Sequence, residues 1–395
     1  MTWGPEILGT VQDLDYARRE LGRRFVGRER AIELLQLAVV CREHALLLGA
    51  TGTAKSALIA ALARQIEASR FSYLLTRFTE PAELFGALDF GAFQQGTYRV
   101  LTERMLPQSE LVFLDEVFQG SSAILNTLLT LLNERRFHNG AEVCRTPLVT
   151  LLGASNEIPE DPGLKAFADR FLLRLEVAPV GGNRLDDLLA VGWEHERERA
   201  EDLHPRHREE GARPARAAGD LSAVVSMRSL AALTRALFEV RLDEVLPVHH
   251  ELVQELLVQG VELSDRRLVR SLKLVAGAAL LRGADSATPA DLWPLAHIWT
   301  DPADRAVVEQ SVHAAVERHG GAGRERVAGA AELLADARAI ADPLLERPPA
   351  NDDVIIAVLR QLNELRNDLT LHHHQDGTAL HELSRIIASV NGLLP

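Results

Sequence analysis

The chain has 395 residues, 47% of them hydrophobic and 25% charged, with a formal net charge of −13 at pH 7. This excludes a disordered or fibrous chain and predicts two or three domains with a sizeable core. The acidic balance argues against a broad nucleic-acid surface, which needs clustered Lys and Arg, and no apolar run reaches the ~20 residues of a membrane span.

Only two cysteines occur, Cys41 and Cys144. They exclude a disulfide framework and fit a reducing, cytoplasmic setting, and both read as small buried residues. The N-terminus lacks a basic region followed by an apolar stretch, so no signal peptide is expected.

In chain order, residues 29–40 carry helical periodicity, with Ile32, Leu35 and Val39 on one face. Residues 45–48 form an apolar strand, 56–66 a helix and 71–75 a possible second strand. Residues 81–88 begin a helix, and the stretch to about 101 reads as two short strands around Gln94-Gln95-Gly96. A strand at 111–114 and a helix at 121–133, capped by Ser121 or Ser122, follow. Asn139-Gly140 signals a hairpin turn. Residues 148–154 and 171–177 are further strands around a helix end near 164–169. Strands alternating with helices up to about 180 predict a mainly parallel sheet covered on both faces.

The pattern then changes. Residues 193–220 are charged, with a solvated helix in the first half and a linker in the second. From 224 to about 299 the periodicity is helical throughout, and Ser264 caps a helix starting at Asp265. Ile355, Val358, Leu362, Leu365 and Leu369, then Leu380, Leu383, Ile387, Val390 and Leu394, alternate by three and four. That spacing predicts a packed helical hairpin or short coiled coil.

The stretch LLLGATGTAKSAL places Gly49, Thr51, Gly52, Thr53, Ala54, Lys55, Ser56 and Ala57 between a strand and a helix. This is the context of a phosphate-binding loop. Lys55 is expected to reach the β- and γ-phosphates, and Ser56 to ligate Mg2+. Ala54 stands where the general pattern has glycine. Gly52 is expected to supply the left-handed turn, which leaves Ala54 with a negative φ.

ELVFLDEVF is an apolar strand ending in Asp115-Glu116. It resembles the Walker B element of P-loop ATPases, with Asp115 holding magnesium and Glu116 as general base. LVTLLGASNE ends a third apolar strand at Asn156, LKAFADRFLLRL carries Arg170 and Arg174, and LSDRRLVRSL carries Arg266 and Arg267. The adjacent His372, His373 and His374 cannot all face one metal on a helix and read as a solvated patch, as do His249 and His250. Trp293 and Trp299 read as core or interface.

Taken in order, FVGRERAIELL, GATGTAKS, FTEPAELFGAL, FLDEVFQGSSAILNTLLTLLNERRFHNG, LLGASNEIPE, DRFLLRL and LSDRRLVRSL resemble the MoxR branch of the AAA+ ATPases. The similarity spans about residues 20–310 and points to the regulatory ATPase (RavA) subfamily. The alanine before the loop lysine is itself similar to that branch.

The resemblance implies an α/β fold: an AAA+ P-loop αβα domain, a helical lid and a C-terminal helical region. Its boundaries are an N-terminal lead and large domain over 1–180, a linker over 181–222, a lid over 223–312 and C-terminal helices over 313–395. An insert in the second core helix would occupy about 87–101, and a hairpin before the third motif strand about 135–147. Phe25 and Val26 would lie near the adenine. Asn156 would be sensor one, Arg170 a finger acting on a neighbouring subunit's nucleotide with Arg174 as fallback, and Arg266 or else Arg267 sensor two.

ATP and ADP with Mg2+ are the implied ligands. The implied activity is ATP hydrolysis in a hexameric ring that remodels or assembles a protein client, often with a von Willebrand factor A domain partner. Lid rotation after hydrolysis is expected to move the helix-two insert. The alternatives are a switch or scaffold with little hydrolysis, a nucleic-acid-acting AAA+ ring and a magnesium-chelatase-like subunit. No β-rich insertion like that of the regulatory ATPase follows the lid, so partner identity does not carry over.

Overall fold

The protein is described from a computed structural model over residues 3–180, 184–202, 223–319 and 377–392, with scattered positions between 334 and 366. It divides into two compact units, Met1–Gly320 and Gly321–Pro395.

The first unit is built on a parallel sheet of five strands in the order β3-β4-β7-β1-β8. These are β1 (Ala45–Leu48), β3 (Arg70–Leu74), β4 (Leu111–Asp115), β7 (Thr150–Ser155) and β8 (Leu173–Glu176). β1 and β7 are buried along their whole length. An unbroken apolar run is what a parallel strand covered on both faces requires. Two short pairs flank the sheet: β2 (Ile66–Glu67) with β9 (Val225–Ser226), and β5 (Arg136–Asn139) with β6 (Glu142–Arg145).

Helix α1 (Pro5–Arg24) precedes everything the periodicity suggested. Its signal was Pro5 in the first turn and the buried series Val11, Leu14, Ala17 and Leu21. α2 (Glu29–Cys41) follows and runs back into β1. α3 (Lys55–Arg64) opens directly after the phosphate loop, α4 (Pro81–Phe85) and α5 (Phe90–Gln94) are short, and α6 (Ser122–Glu134) is capped by Ser121. α7 (Pro162–Ala168) leads to β8, and α8 (Leu185–Asp202) leaves the sheet. The lid helices are α9 (Met227–Ala236), α10 (Leu246–Val258), α11 (Asp265–Leu281) and α12 (Arg305–His319). α12 runs through the boundary expected at 312.

α11 lies tightly across α2. A Cβ at Gly277 would sit 2.5 Å from Cys41 Sγ and 2.7 Å from Leu37 Cδ1, so any larger residue would force those two buried side chains to move. Glu43, buried just beyond α2, accepts from Arg270 at 3.2 Å and Lys273 at 2.5 Å, both on α11.

Three local expectations are corrected. The insert at 87–101 is not a strand hairpin: it holds one antiparallel bridge, Leu88 with Val100, around α5. Asp89 accepts from Ala92 N and pairs with Arg99, and that cap outcompetes strand formation. The β5–β6 turn is Gly140-Ala141, one residue later than expected, because Asn139 still pairs with Glu142. Its amide instead bonds both Val100 N and Val100 O, tying the insert to the hairpin. Cys41 is buried, but Cys144 is exposed on β6.

In the second unit, Ala337, Ala341, Ile355, Leu362, Leu383 and Val390 form one buried cluster, the last two on α13 (Gly377–Asn391). Val358, Leu380 and Ile387 pack against it. The remaining heptad positions Leu365, Leu369 and Leu394, and the His372–His374 run, lie outside the described residues.

Candidate nucleotide site

The strand order creates the site. β7 lies between β1 and β4, so the ends of the three strands set Gly49, Asn156 and Asp115 side by side. Ligands of open α/β sheets bind at the carboxyl ends of strands, where the order reverses. Gly49 N donates to Ser155 O at 3.1 Å, joining the loop to the Asn156 strand. Asn156 itself is exposed.

The loop turns sharply. Gly49 has φ 151°, and a Cβ there would lie 2.4 Å from Val177 O. Thr53 braces the turn, its Oγ1 donating to Ala50 O at 2.8 Å. Thr51 and Ala57 are exposed at the rim. Gly52 has φ 87°, but Ala54 also has a positive φ, 64°. The expectation of a relaxed Ala54 is therefore wrong. The chain needs two left-handed residues to pass from the loop into α3, and an alanine at the second costs about 1 kcal/mol.

Lys55 is buried, and its Nζ donates to Gly49 O and, at 3.0 Å, to Ala50 O. Burial lowers its pKa, and the charges of Asp115 and Glu116 oppose that shift. Ser56 Oγ donates to Asp115 Oδ2 at 2.5 Å. A hydroxyl and a carboxylate are the hard oxygen donors Mg2+ takes, so this pair fits the expected ion. Glu116 follows in the left-handed region at φ 48°, its amide held by Asp115 Oδ1 at 3.0 Å. Such strain concentrates at functional sites. Burial, then the neighbouring Asp115 charge, raises the Glu116 pKa, while Lys55 opposes.

Phe25 closes α1 and is partly buried, and Val26 is buried. The next residue, Gly27, faces Val180, in the segment that leaves β8 behind Gly49. Val177 and Val180 gave no signal in the sequence, because backing a loop requires no particular residue type.

The predicted arginines lie elsewhere. α2 runs the length of the sheet, roughly 20 Å at ~1.5 Å per residue, and its far end leads into Glu43. Arg170 follows α7 at the amino end of β8. Arg266 opens α11, its Nη1 donating to Asn133 Oδ1 at 2.7 Å. Arg170 Nε, Arg266 Nη2 and Arg135 Nη1 are buried without a hydrogen-bond partner among the described residues. Burial and the charges of Arg270 and Arg170 lower the Arg266 pKa.

Among the described residues none of these groups hydrogen-bonds the phosphate loop of its own chain; Arg266, the first choice for sensor two, bonds Asn133 instead. Arg267 is a structural residue: it is buried, pairs with Asp169 at 2.9 Å and donates to Leu172 O and Ile298 O. The fallback finger Arg174 is only 1% exposed, donates to Thr300 O and stacks on Trp299. It is closed to any neighbour, and Trp299 is core, as expected. Trp293 lies under Arg30. His249 is buried against Ser271 Oγ at 2.9 Å rather than solvated.

Known proteins fit this picture. Residues 12–212 match the family described as the MoxR domain in the MoxR-vWA-beta-propeller ternary systems, and residues 242–312 match an AAA lid domain. An uncharacterized protein of Methanocaldococcus jannaschii is 33% identical over 76% of this chain and 74% of its own. Chaperone MoxR1 of Mycobacterium tuberculosis is 24% identical over 43% of this chain and 46% of its own. The crystal structure of a candidate ATPase from Cytophaga hutchinsonii shares the fold at TM-score 0.61 and 17% identity, covering 79% of this chain and 96% of that one. With a phosphate loop, an acidic strand end and a helical lid on one parallel sheet, the chain belongs to the MoxR family of AAA+ ATPases.

Proposed function

We propose that the protein hydrolyses ATP at the junction between copies of itself and uses the cycle to remodel or assemble a partner protein. The observation that carries this is the Ser56–Asp115 pair with Glu116 strained beside it. Ser56 and Asp115 would hold Mg2+, which when bound neutralises developing phosphate charge.

The amides from Gly49 to Ser56 and the Lys55 ammonium bind and orient the phosphates. Phe25 and Val26 border the base. Glu116, made more basic by burial, takes the proton of the attacking water, and Asn156 orients that water. The finger Arg170, with Arg266 beside it, acts on a neighbour's γ-phosphate, because neither hydrogen-bonds its own chain's loop. A pure switch needs neither Glu116 nor Arg170.

A ring of copies, a protein client and a von Willebrand factor A domain partner fit the MoxR-vWA description of the matched family. Among the described residues no helix is long and apolar enough to cross a membrane, and we place the activity in the cytoplasm. The test is Glu116→Gln, measured by phosphate release and by binding of a fluorescent ATP analogue. Hydrolysis falls by about 10²-fold or more while binding persists; an unchanged rate sinks the reading.

A further inference from the structure

Among the described residues the β5–β6 hairpin is a sheet of two strands, so β5 keeps one free edge. Its register pairs Arg136 with Arg145, Phe137 with Cys144, His138 with Val143 and Asn139 with Glu142. Just before it, Thr146 N donates to Arg135 O at 2.9 Å, which makes these two a hydrogen-bonded pair. Bonded and non-bonded pairs alternate along an antiparallel ladder. Phe137 and Asn139 therefore bond to β6, while the N–H and C=O groups of Arg136 and His138 point to the free edge. Among the described residues no other strand takes them up.

Beside the strand lies a cleft of about 500 Å³, lined by all four residues of β5, by Phe85 of α4, by Leu88 and Val100 of the insert and by Thr127 and Thr130 of α6. The two faces of the hairpin differ. On one, Phe137 stacks on Phe85 with centroids 5.8 Å apart and Asn139 bonds Val100, so this face leans on the insert and is largely apolar. On the other, Arg136, His138, Val143 and Arg145 lie together, and all are exposed. Arg136 and Arg145 stand directly opposite each other, which is destabilising for like charges. Neither has a carboxylate partner among the described residues. This local positive charge sits on a chain whose net charge is −13.

A strand edge with unpaired backbone groups takes an extended chain: main-chain bonds give affinity, and alternate side chains give specificity. We propose that β5 adds an extended, acidic segment of a partner protein as a third strand. Its acidic side chains lie at alternate positions beside Arg136 and His138, with the Arg145 charge behind them. The side chains between them are apolar and turn to the face of Phe137 and Phe85. The four residues of β5 span about 13 Å at ~3.3 Å per residue, so recognition involves about four residues of the partner. A second copy of β5 does not fit the edge, because it would bring one arginine face against another. The proposal names the chemistry of the partner segment, and rests on the reading above only for that segment's use in the ATP cycle.

The test is binding of a capped, fluorescein-labelled hexapeptide that alternates glutamate and leucine, followed by anisotropy with the full-length protein. One control peptide carries lysine in place of glutamate. A second is N-methylated along its backbone, which removes its N–H donors. The alternating peptide binds, and each control binds more weakly by about tenfold or more. The double variant Arg136→Glu/Arg145→Glu changes only exposed side chains and keeps its binding of the fluorescent ATP analogue. It loses the glutamate peptide and gains the lysine peptide. Failure of the glutamate peptide to bind overturns the proposal, as does equal binding of the N-methylated peptide or an unchanged preference in the double variant. Displacement of the labelled peptide by single-stranded oligothymidylate, more readily than by unlabelled peptide, assigns the edge to nucleic acid and also overturns it. Peptide binding that obeys these rules in a protein that hydrolyses no ATP supports the strand-addition site and removes the ATPase reading instead. Lost peptide binding with hydrolysis intact sinks this proposal alone.

Discussion

At one end of the sheet, Thr53, Lys55, Ser56 and Asp115 hold loop and strand by hydrogen bonds to groups of their own chain. At the other end, Arg135, Arg170 and Arg266 each keep a buried nitrogen without a partner among the described residues. An unsatisfied buried donor is costly, about 1–3 kcal/mol and more when charged. The difference is that the phosphate-loop groups pair with one another, while the arginine end keeps charged donors that find no partner among the described residues.

The sharpest way to break this contrast is Arg170→Ala. If the arginine acts across a junction, hydrolysis falls by roughly 10³-fold or more, while nucleotide affinity of the isolated chain is unchanged. Equal loss of affinity, by titration with the fluorescent analogue, would place Arg170 at its own loop and end the comparison. Next comes Glu43→Gln, which removes the one buried carboxylate among Arg270 and Lys273. Leaving these cations unpaired costs about 3 kcal/mol of stability, seen as a lower denaturation midpoint.

Acid titration sharpens the contrast further. At the arginine end, His44 accepts from Leu151 N at 2.9 Å and its other nitrogen meets Leu132 O at 3.3 Å, so it is folded neutral. Burial, then Arg135, puts its pKa well below 6.5. His297 is lowered to about 4, chiefly by burial and then by Arg30. The unfolded chain binds these protons first, so stability is full above about pH 6.5 and lost as pH falls towards 4. His297 alone contributes roughly 3 kcal/mol over that range. A His44→Gln variant should show a shallower slope in pH-dependent melting; an unchanged slope assigns the loss elsewhere.

The smallest effect is Ala54→Gly. Relief of the left-handed alanine, about 1–2 kcal/mol, exceeds the entropy cost of glycine, about 0.5–1 kcal/mol. The variant should therefore be stabilised by about 0.5 kcal/mol with unchanged nucleotide binding.

The satisfied end was the legible one. Gly49, Asp115 and Asn156 stand where an apolar strand gives way to polar residues, Lys55 and Ser56 open the helix after the loop, and parallel strands end on one edge. The arginine end was harder. Arg170 and Arg174 lie four residues apart, and Arg266 and Arg267 adjoin, so spacing cannot say which is buried; packing against Trp299 and Asp169 decides it. The left-handed Ala54 was illegible because Gly52, two residues earlier, already offered a residue free to take the positive φ. The strand reading of 87–101 failed because a local cap, Asp89, outweighs alternation in so short a segment.

The Gly277 crossing has a mechanical consequence. A lid that swings needs a slip plane, and α11 has none against α2: Cys41 Sγ donates to Lys273 O at 3.2 Å and Glu43 bolts both helices together. Rotation within the chain would shear those bonds and open a void under Gly277. Any swing of the lid relative to the sheet in the proposed cycle would have to break this set of bonds first, so the crossing sets a threshold for that motion.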